Sequence, residues 1–309
     1  MPTTTETRRA YLLLLAMPGF FSSNLVLGRA AVESVEPWTL AFFRWGLAFL
    51  ILLPFAIGGL KAHGATLRAA SPRLFLLGFL GMWICGAIVY LSLKDTSATN
   101  ATLIYTTTPV FILLIEMMFR GRPAKTRELV GIVLAILGVL AIVLRLEWER
   151  LVGMRFSLGD LGILFCAICW AVYSVLLKRD DLQSVPTPTL FASIAGAGAL
   201  TLLPFMVIET VLVAPLPTST AAWGSILALA IFPSVFAFGL YQYGVKVVGP
   251  AITGIFMYLM PPYGVVLAVF ILGETIALHH VVGMALVTAG VVIATVPLAL
   301  VERLVRRPS

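Results

Sequence analysis

The sequence predicts an all-α polytopic membrane protein, ten transmembrane helices built as a 5+5 inverted repeat, and three observations lead there. Of 309 residues, 60% are hydrophobic and 11% charged, with a mean hydropathy of +1.04. A soluble domain carries roughly a quarter charged residues, so a water-facing fold would have almost nothing with which to cover its surface. Ten apolar segments reach the length of about 20 residues that a bilayer-crossing helix needs. Finally, the chain repeats itself. Shifted by 152 residues, Lys94 falls on Lys246, Pro109 on Pro261, Gly121 on Gly273, Gly131 on Gly283 and Gly138 on Gly290. Shifted by 150, Thr39 falls on Thr189, Leu40 on Leu190, Gly46 on Gly196 and Pro54 on Pro204.

The segments run 9–29, 37–59, 72–93, 97–119, 126–145, 158–178, 187–211, 221–244, 249–272 and 280–301. Backbone polar groups in lipid must be satisfied internally, which leaves helices for segments of this length. The connectors are too short for a separate soluble domain, and the repeat divides the chain into 1–150 and 151–309. The polar N-terminus, Met1 to Arg9, leads into the first segment without the small-residue site of a cleaved signal.

Lys and Arg set the orientation. With the N-terminus in the cytoplasm, fifteen basic residues fall inside and five outside, and Arg44, the last of the 21, lies within a span. Both termini are therefore expected inside. The turn after the fourth segment carries Arg120, Arg122, Lys125 and Arg127, whereas its counterpart after the ninth carries Glu274 and His279. Five helices is an odd number, so two copies in series must point opposite ways. The net charge of +7 sits in connectors, which is topology signal rather than a nucleic-acid stripe.

Along the chain, Ser22, Ser23 and Asn24 follow a Pro18-Gly19 break in the first segment. Arg44 lies about seven residues into the second, where an ionisable residue is a functional candidate. It is expected to act as a structural charge paired with an acidic residue such as Glu36 or Glu274. In the third segment Trp83 and Tyr90 are seven apart, hence on one helical face. Pro109 in the fourth removes one backbone bond and frees the carbonyl of Tyr105; Thr106, Thr107 and Thr108 precede it. Glu116 is read as an i,i+4 partner of Arg120. Glycines space the fifth segment for close packing. Cys166 and Cys169 in the sixth have CxxC spacing without a second ligand pair, so small-residue packing is expected rather than metal or redox use. Trp170 and Tyr173 lie three apart on the same segment. Tyr241, Gln242 and Tyr243 end the eighth. Pro261 and Pro262 break the ninth, freeing the carbonyls of Met257 and Tyr258. Cavity lining and a plain packing kink both remain open for these breaks. For Tyr90, Tyr241 and Tyr243, cavity and interfacial belt remain equally open.

Inverted repeats are a mark of secondary transporters, whose substrate site lies near the midplane where the halves meet. The expected cavity set is Asn24, Trp83, Tyr90, Tyr105, Thr107, Thr108, Pro109, Trp170, Tyr173, Tyr241, Tyr258 and Pro261. An integral membrane enzyme would need convergent His, Asp or Glu. His63 is placed on the face opposite His279 and His280, so neither catalytic residues nor a cofactor or metal are expected. The expected partners are a small-molecule substrate and the lipid bilayer, with no nucleic acid and no obligatory protein partner.

Pro37-Trp-Thr-Leu-Ala-Phe-Phe-Arg44, Ser92-Leu-Lys-Asp-Thr-Ser-Ala98, Pro109, Pro261, Gly273-Glu274 and the glycines of the fifth and tenth segments together resemble the EamA-type branch of the drug/metabolite transporter superfamily. Where that family has Gly-Glu before the fifth helix, this chain has Gly121-Arg122. The resemblance implies ten helices, a central cavity and export of small metabolites, often amino acids; the inverted repeat adds the expectation of alternating access, and the location expected is the cell (inner) membrane. Within the branch the chain is similar to the YddG-like exporters of aromatic and other hydrophobic amino acids. It also implies that the first, third, fourth, sixth, eighth and ninth helices line the path. Export of drugs or other metabolites is the alternative.

Overall fold

The computed structural model describes residues 3–96, 98–147, 149–153, 157–178, 182–272 and 275–295, and every regular element among them is helical. The long segments are α1 (Thr4–Ala31), α2 (Pro37–Ala62), α3 (Ser71–Leu93), α4 (Ala98–Tyr105 and Thr108–Arg120) and α5 (Thr126–Val143). The second half has α6 (Leu158–Leu177), α7 (Thr187–Leu212), α8 (Thr220–Val248), α9 (Pro250–Ile255, a 3-10 turn Phe256–Leu259, then Met260–Leu272) and α10 (Leu278–Thr295). Nine of these, α2 to α10, are long and apolar enough among the described residues to cross a membrane. The remaining helix, α1, has 28 residues, or about 42 Å at 1.5 Å per residue. It starts ahead of residue 9 because Thr3 and Glu6 form a capping box, with Glu6 N–H donating to Thr3 Oγ1 at 3.2 Å and Thr3 N–H to Glu6 Oε2 at 2.8 Å.

The two largest helix–helix interfaces are α5 with α10 and α2 with α7, each a pairing of counterparts across the repeat. On α5, Gly131 faces Gly290 and Gly138 faces Gly283. A methyl group on Gly138 would lie 2.7 Å from the Gly283 carbonyl oxygen, and one on Gly283 would lie 2.6 Å from the Gly138 carbonyl oxygen. The order ascends on one helix and descends on the other, so the two run antiparallel. Because Gly131 and Gly138 correspond to Gly283 and Gly290, the crossing has the reciprocal contacts of a two-fold axis. Lipid gives no hydrophobic drive for helices to associate, so backbone approach across small residues supplies the contact instead.

The α2–α7 crossing repeats the pattern with a chemical asymmetry. Thr39 meets Glu209, and Thr189 meets Gly59, each residue 150 positions from its counterpart. The Glu209 carboxylate accepts from Trp38 N–H at 3.2 Å, Thr39 N–H at 2.7 Å and Thr39 Oγ1 at 2.8 Å. Those N–H groups belong to the first turn of α2, whose own cap residue, Glu36, makes no side-chain cap bond. On the α6 side, Asp160 accepts from Ser157 N–H at 2.7 Å, from Asn100 at 3.1 Å and from Thr96 Oγ1. It thereby caps α6 and ties the α3–α4 connector to it.

Two expected ion pairs differ from the structure. Glu116 pairs with Arg122 at 3.7 Å, and Arg122 also reaches Glu128 at 2.6 Å. Arg120, the expected partner four residues on, instead donates to the Lys178 carbonyl. The left-handed Gly121 (φ +62°) ends α4 and turns the chain back, which brings Arg122 rather than Arg120 to the carboxylate. Glu36 pairs with Lys94 at 2.8 Å and not with Arg44. Glu274, the other expected partner, lies outside the described residues.

Candidate substrate cavity

Both halves interrupt the same two helices. Helix α4 breaks at Thr106 and Thr107, just before Pro109, and α9 narrows to a 3-10 turn over Phe256–Leu259, just before Pro261. Pro109 has no N–H for the Tyr105 carbonyl, and Pro261 and Pro262 have none for Met257 and Tyr258. The free hydroxyls near the first break are turned onto the backbone: Thr106 Oγ1 donates to Leu103 at 2.6 Å and Thr107 Oγ1 to Ile104 at 2.5 Å. At the second, Ser22 from α1 donates to the Met260 carbonyl at 2.8 Å.

Helices α3 and α8 carry a second matched feature, π-helical stretches at Phe79–Ile88 and Ala230–Phe238. The i→i+5 pattern widens the helix and turns fewer degrees per residue. In α8 this lets Ser234 Oγ donate to the carbonyl of Leu229, five residues back, at 2.8 Å.

A cavity of about 240 Å³ lies between these elements. Tyr105, Thr106 and Pro109 line it from α4, and Met257, Tyr258, Met260 and Pro261 from α9. Asn24 contributes from α1, Cys85 and Val89 from α3, Trp170 from α6 and Phe238 from α8. All six helices implied by the resemblance therefore reach the cavity, and α2 joins them through Arg44.

Six of the twelve expected residues line the cavity: Asn24, Tyr105, Pro109, Trp170, Tyr258 and Pro261. The other six lie elsewhere. Tyr90, Tyr173 and Tyr241 are fully buried behind the wall. Tyr90 bonds Asn24 at 3.0 Å, Gln242 donates to Tyr173 at 3.0 Å, and Tyr241 shares a 2.5 Å bond with Ser174. Ser174 is the counterpart of Asn24 in the repeat and Gln242 that of Tyr90, but in the second half Ser174 bonds the neighbouring Tyr241 instead. Thr107 faces its own helix backbone, and Thr108 is buried as the first residue after the break, its hydroxyl without a partner. Trp83 packs among Trp38, Phe79 and Phe205 with ring centroids 4.8 to 5.1 Å away, at the α2–α3–α7 contact. Its separation from Tyr90 has a physical cause: over the π stretch, seven residues no longer make two full turns.

Arg44 is only 2% exposed yet borders the cavity. Its Nε donates to Ser234 Oγ at 2.6 Å, and Nη1 donates to Tyr90 OH at 2.6 Å and to Asn24 Oδ1 at 3.0 Å. The guanidinium also sits 4.8 Å from the Trp45 ring centroid. It thus joins α1, α2, α3 and α8 through neutral acceptors. Ser234 had no signal in the sequence, because its placement depends on the π stretch. Thr106 stood beside the expected Thr107, and which of the two faces the cavity is decided by the local break.

The EamA-like transporter family matches residues 8–144 and again 157–296. The uncharacterized transporter YyaM of Bacillus subtilis (strain 168) is 28% identical over 92% of this chain and 93% of its own. An uncharacterized transporter of Archaeoglobus fulgidus is 27% identical, covering 93% of this chain and 97% of its own. The uncharacterized inner membrane transporter YedA of Escherichia coli (strain K12) is 27% identical over 91% of this chain and 89% of its own. A solved crystal structure superposes with a TM-score of 0.75 over 96% of this chain and 99% of that one, at 23% identity, which shows a shared fold. Two matched copies, full-length relatives and a helical bundle with a cavity at the repeat interface agree: the chain belongs to the EamA-like transporter family.

Proposed function

We propose that this membrane transporter exports small amphipathic metabolites, first among them amino acids with aromatic or hydrophobic side chains, by alternating access. The observation that carries the reading is the cavity between the two broken helices, walled by Trp170, Phe238, Tyr105 and Tyr258. Two structurally similar halves of opposite orientation can exchange conformations, opening one central site first to one side and then to the other. Residues 1–150 and 151–309 are the exchanging units, with both termini in the cytoplasm. An aromatic wall with few polar groups suits a substrate that has an apolar body and one polar end. A drug exporter for cations would be expected to carry an acidic lining, and none of the described lining residues is acidic.

The test is efflux of labelled phenylalanine, tryptophan and leucine from proteoliposomes holding the purified protein. Saturable efflux above that of empty liposomes is expected. Rates indistinguishable from empty liposomes for all three would remove amino acids from the substrate list.

A further inference from the structure

We propose that Arg44 and Asn24 form a carboxylate-reading site in the cavity, so that the transported class is amphipathic monocarboxylates recognised by the acid group rather than by an amine. This rests on the export reading above and narrows its substrate.

The argument is an account of donors. A guanidinium has five N–H groups and accepts nothing. Arg44 spends Nε on Ser234 and both Nη1 donors on Asn24 and Tyr90. Both N–H groups of Nη2 are left without a protein acceptor among the described residues. The Asn24 carbonyl oxygen receives two donors, Arg44 Nη1 and Tyr90 OH, which fixes the amide so that its NH2 is the unspent end. Asn24 and Arg44 line the same cavity, and so does Tyr258, whose buried hydroxyl has no partner. Two of the three unspent groups can only donate, and the third can. Their complement is an acceptor-only group, and a carboxylate presents two oxygens to the planar edge of an arginine.

Charge points the same way. Among the described residues Arg44 is held only by neutral acceptors, and a buried cation so held is oriented but not neutralised, an expensive arrangement in a membrane unless an anion arrives. The carboxylates acting at this end of α2 are committed, Glu36 to Lys94 and Glu209 to the first N–H groups of α2. One guanidinium, with no lysine or second arginine among the described lining residues, balances a monoanion and leaves a phosphate dianion in excess. An ammonium would find no carboxylate among the described lining residues, only the carbonyls that the prolines release. Phe21, Trp170, Phe238 and Met257 offer the rest of the ligand an apolar wall.

The test is calorimetric titration of the purified full-length protein with four ligands that share one phenyl body: 3-phenylpropionate, L-phenylalanine, 3-phenylpropanamide and phenethylamine. The acid and the amino acid are expected to bind alike, and the amide and the amine weaker by about tenfold or more, as a charge-assisted pair predicts. Arg44→Gln should remove the difference between acid and amide, and Arg44→Lys should restore part of it. Should Arg44→Gln fail to fold, the wild-type acid-to-amide ratio decides alone. Acid and amide binding within about twofold of each other, or a preference for the amine, would overturn the carboxylate site. Acid-selective binding with phenylalanine efflux no faster than in empty liposomes would overturn export and leave the site standing. Efflux without acid preference would do the reverse.

Discussion

At the start of α2 the first N–H groups meet a carboxylate borrowed from another helix, and the roles of single residues in this protein are largely of that kind. Glu209 is 5% exposed and accepts three bonds from Trp38 and Thr39. Glu209→Ala strands those donors, at a cost of about 1–3 kcal/mol. The expected outcome is a lower melting temperature in detergent with unchanged ligand affinity, because Glu209 does not line the cavity. A melting temperature equal to wild type would show that water replaces the carboxylate at no cost. Such roles depend on which side chain lies opposite, which a single sequence does not state. Pro37 announced the helix start, but its cap lies 171 residues from Trp38. Arg44 is the same case: an ionisable residue in a span marked it, while its partners Asn24, Tyr90 and Ser234 come from three other helices.

Whole helices were legible where a residue type dictates backbone behaviour, and illegible where packing does. Proline lacks an N–H, so the breaks in α4 and α9 could be placed within a turn from Pro109 and Pro261, but the break expected at Pro18-Gly19 is not there: α1 runs through Pro18 from Thr4 to Ala31. The π stretches in α3 and α8 have no such marker in both copies; Pro233 lies in the second and nothing comparable in the first. Misjudged rotation of α3 therefore put Trp83 and Tyr90 on one face. Pro109→Ala restores a donor for the Tyr105 carbonyl and should straighten α4, lowering transport on the order of ten- to hundredfold by displacing the cavity wall while insertion into the membrane stays near wild type. Pro261→Ala should act in the same direction but more mildly, since Pro262 still denies Tyr258 its donor. Efflux at wild-type rates in both variants would make the prolines packing kinks. The helix crossings give a sharper contrast in stability. At Gly138 an added methyl would lie 2.6 Å from Val287 N, whereas at Gly46 it meets nothing within 4 Å. Gly138→Ala is expected to destabilise by about 1–3 kcal/mol by forcing α5 and α10 apart. Gly46→Ala should stabilise slightly, by up to about 1 kcal/mol, because alanine favours the helix. Thermal melts of the two variants side by side check both signs.

For the molecule as a whole, the antiparallel, reciprocal crossing of α5 on α10 requires that equivalent connectors face opposite sides of the membrane. The connector after α2 holds Arg68, and 150 residues on, the connector after α7 holds Thr218; both are exposed. Basic residues crowd the first and are missing from the second, so the orientation we propose puts the first in the cytoplasm and the second outside. Single cysteines decide the matter. The native Cys85, Cys166 and Cys169 all lie within α3 and α6, and replacing them by Ala gives a low-background starting protein. In intact cells a membrane-impermeant maleimide should label Thr218→Cys and leave Arg68→Cys untouched; in inside-out vesicles the pattern should reverse. Labelling of both from one side would contradict the inversion itself, since no single orientation of an inverted pair puts them together. Labelling in the opposite sense would keep the inversion and turn the whole molecule over. The direction assigned to transport would then have to be reconsidered, because Arg44, the one charged group among the described lining residues, sits in only one half and is presented to whichever side that half faces.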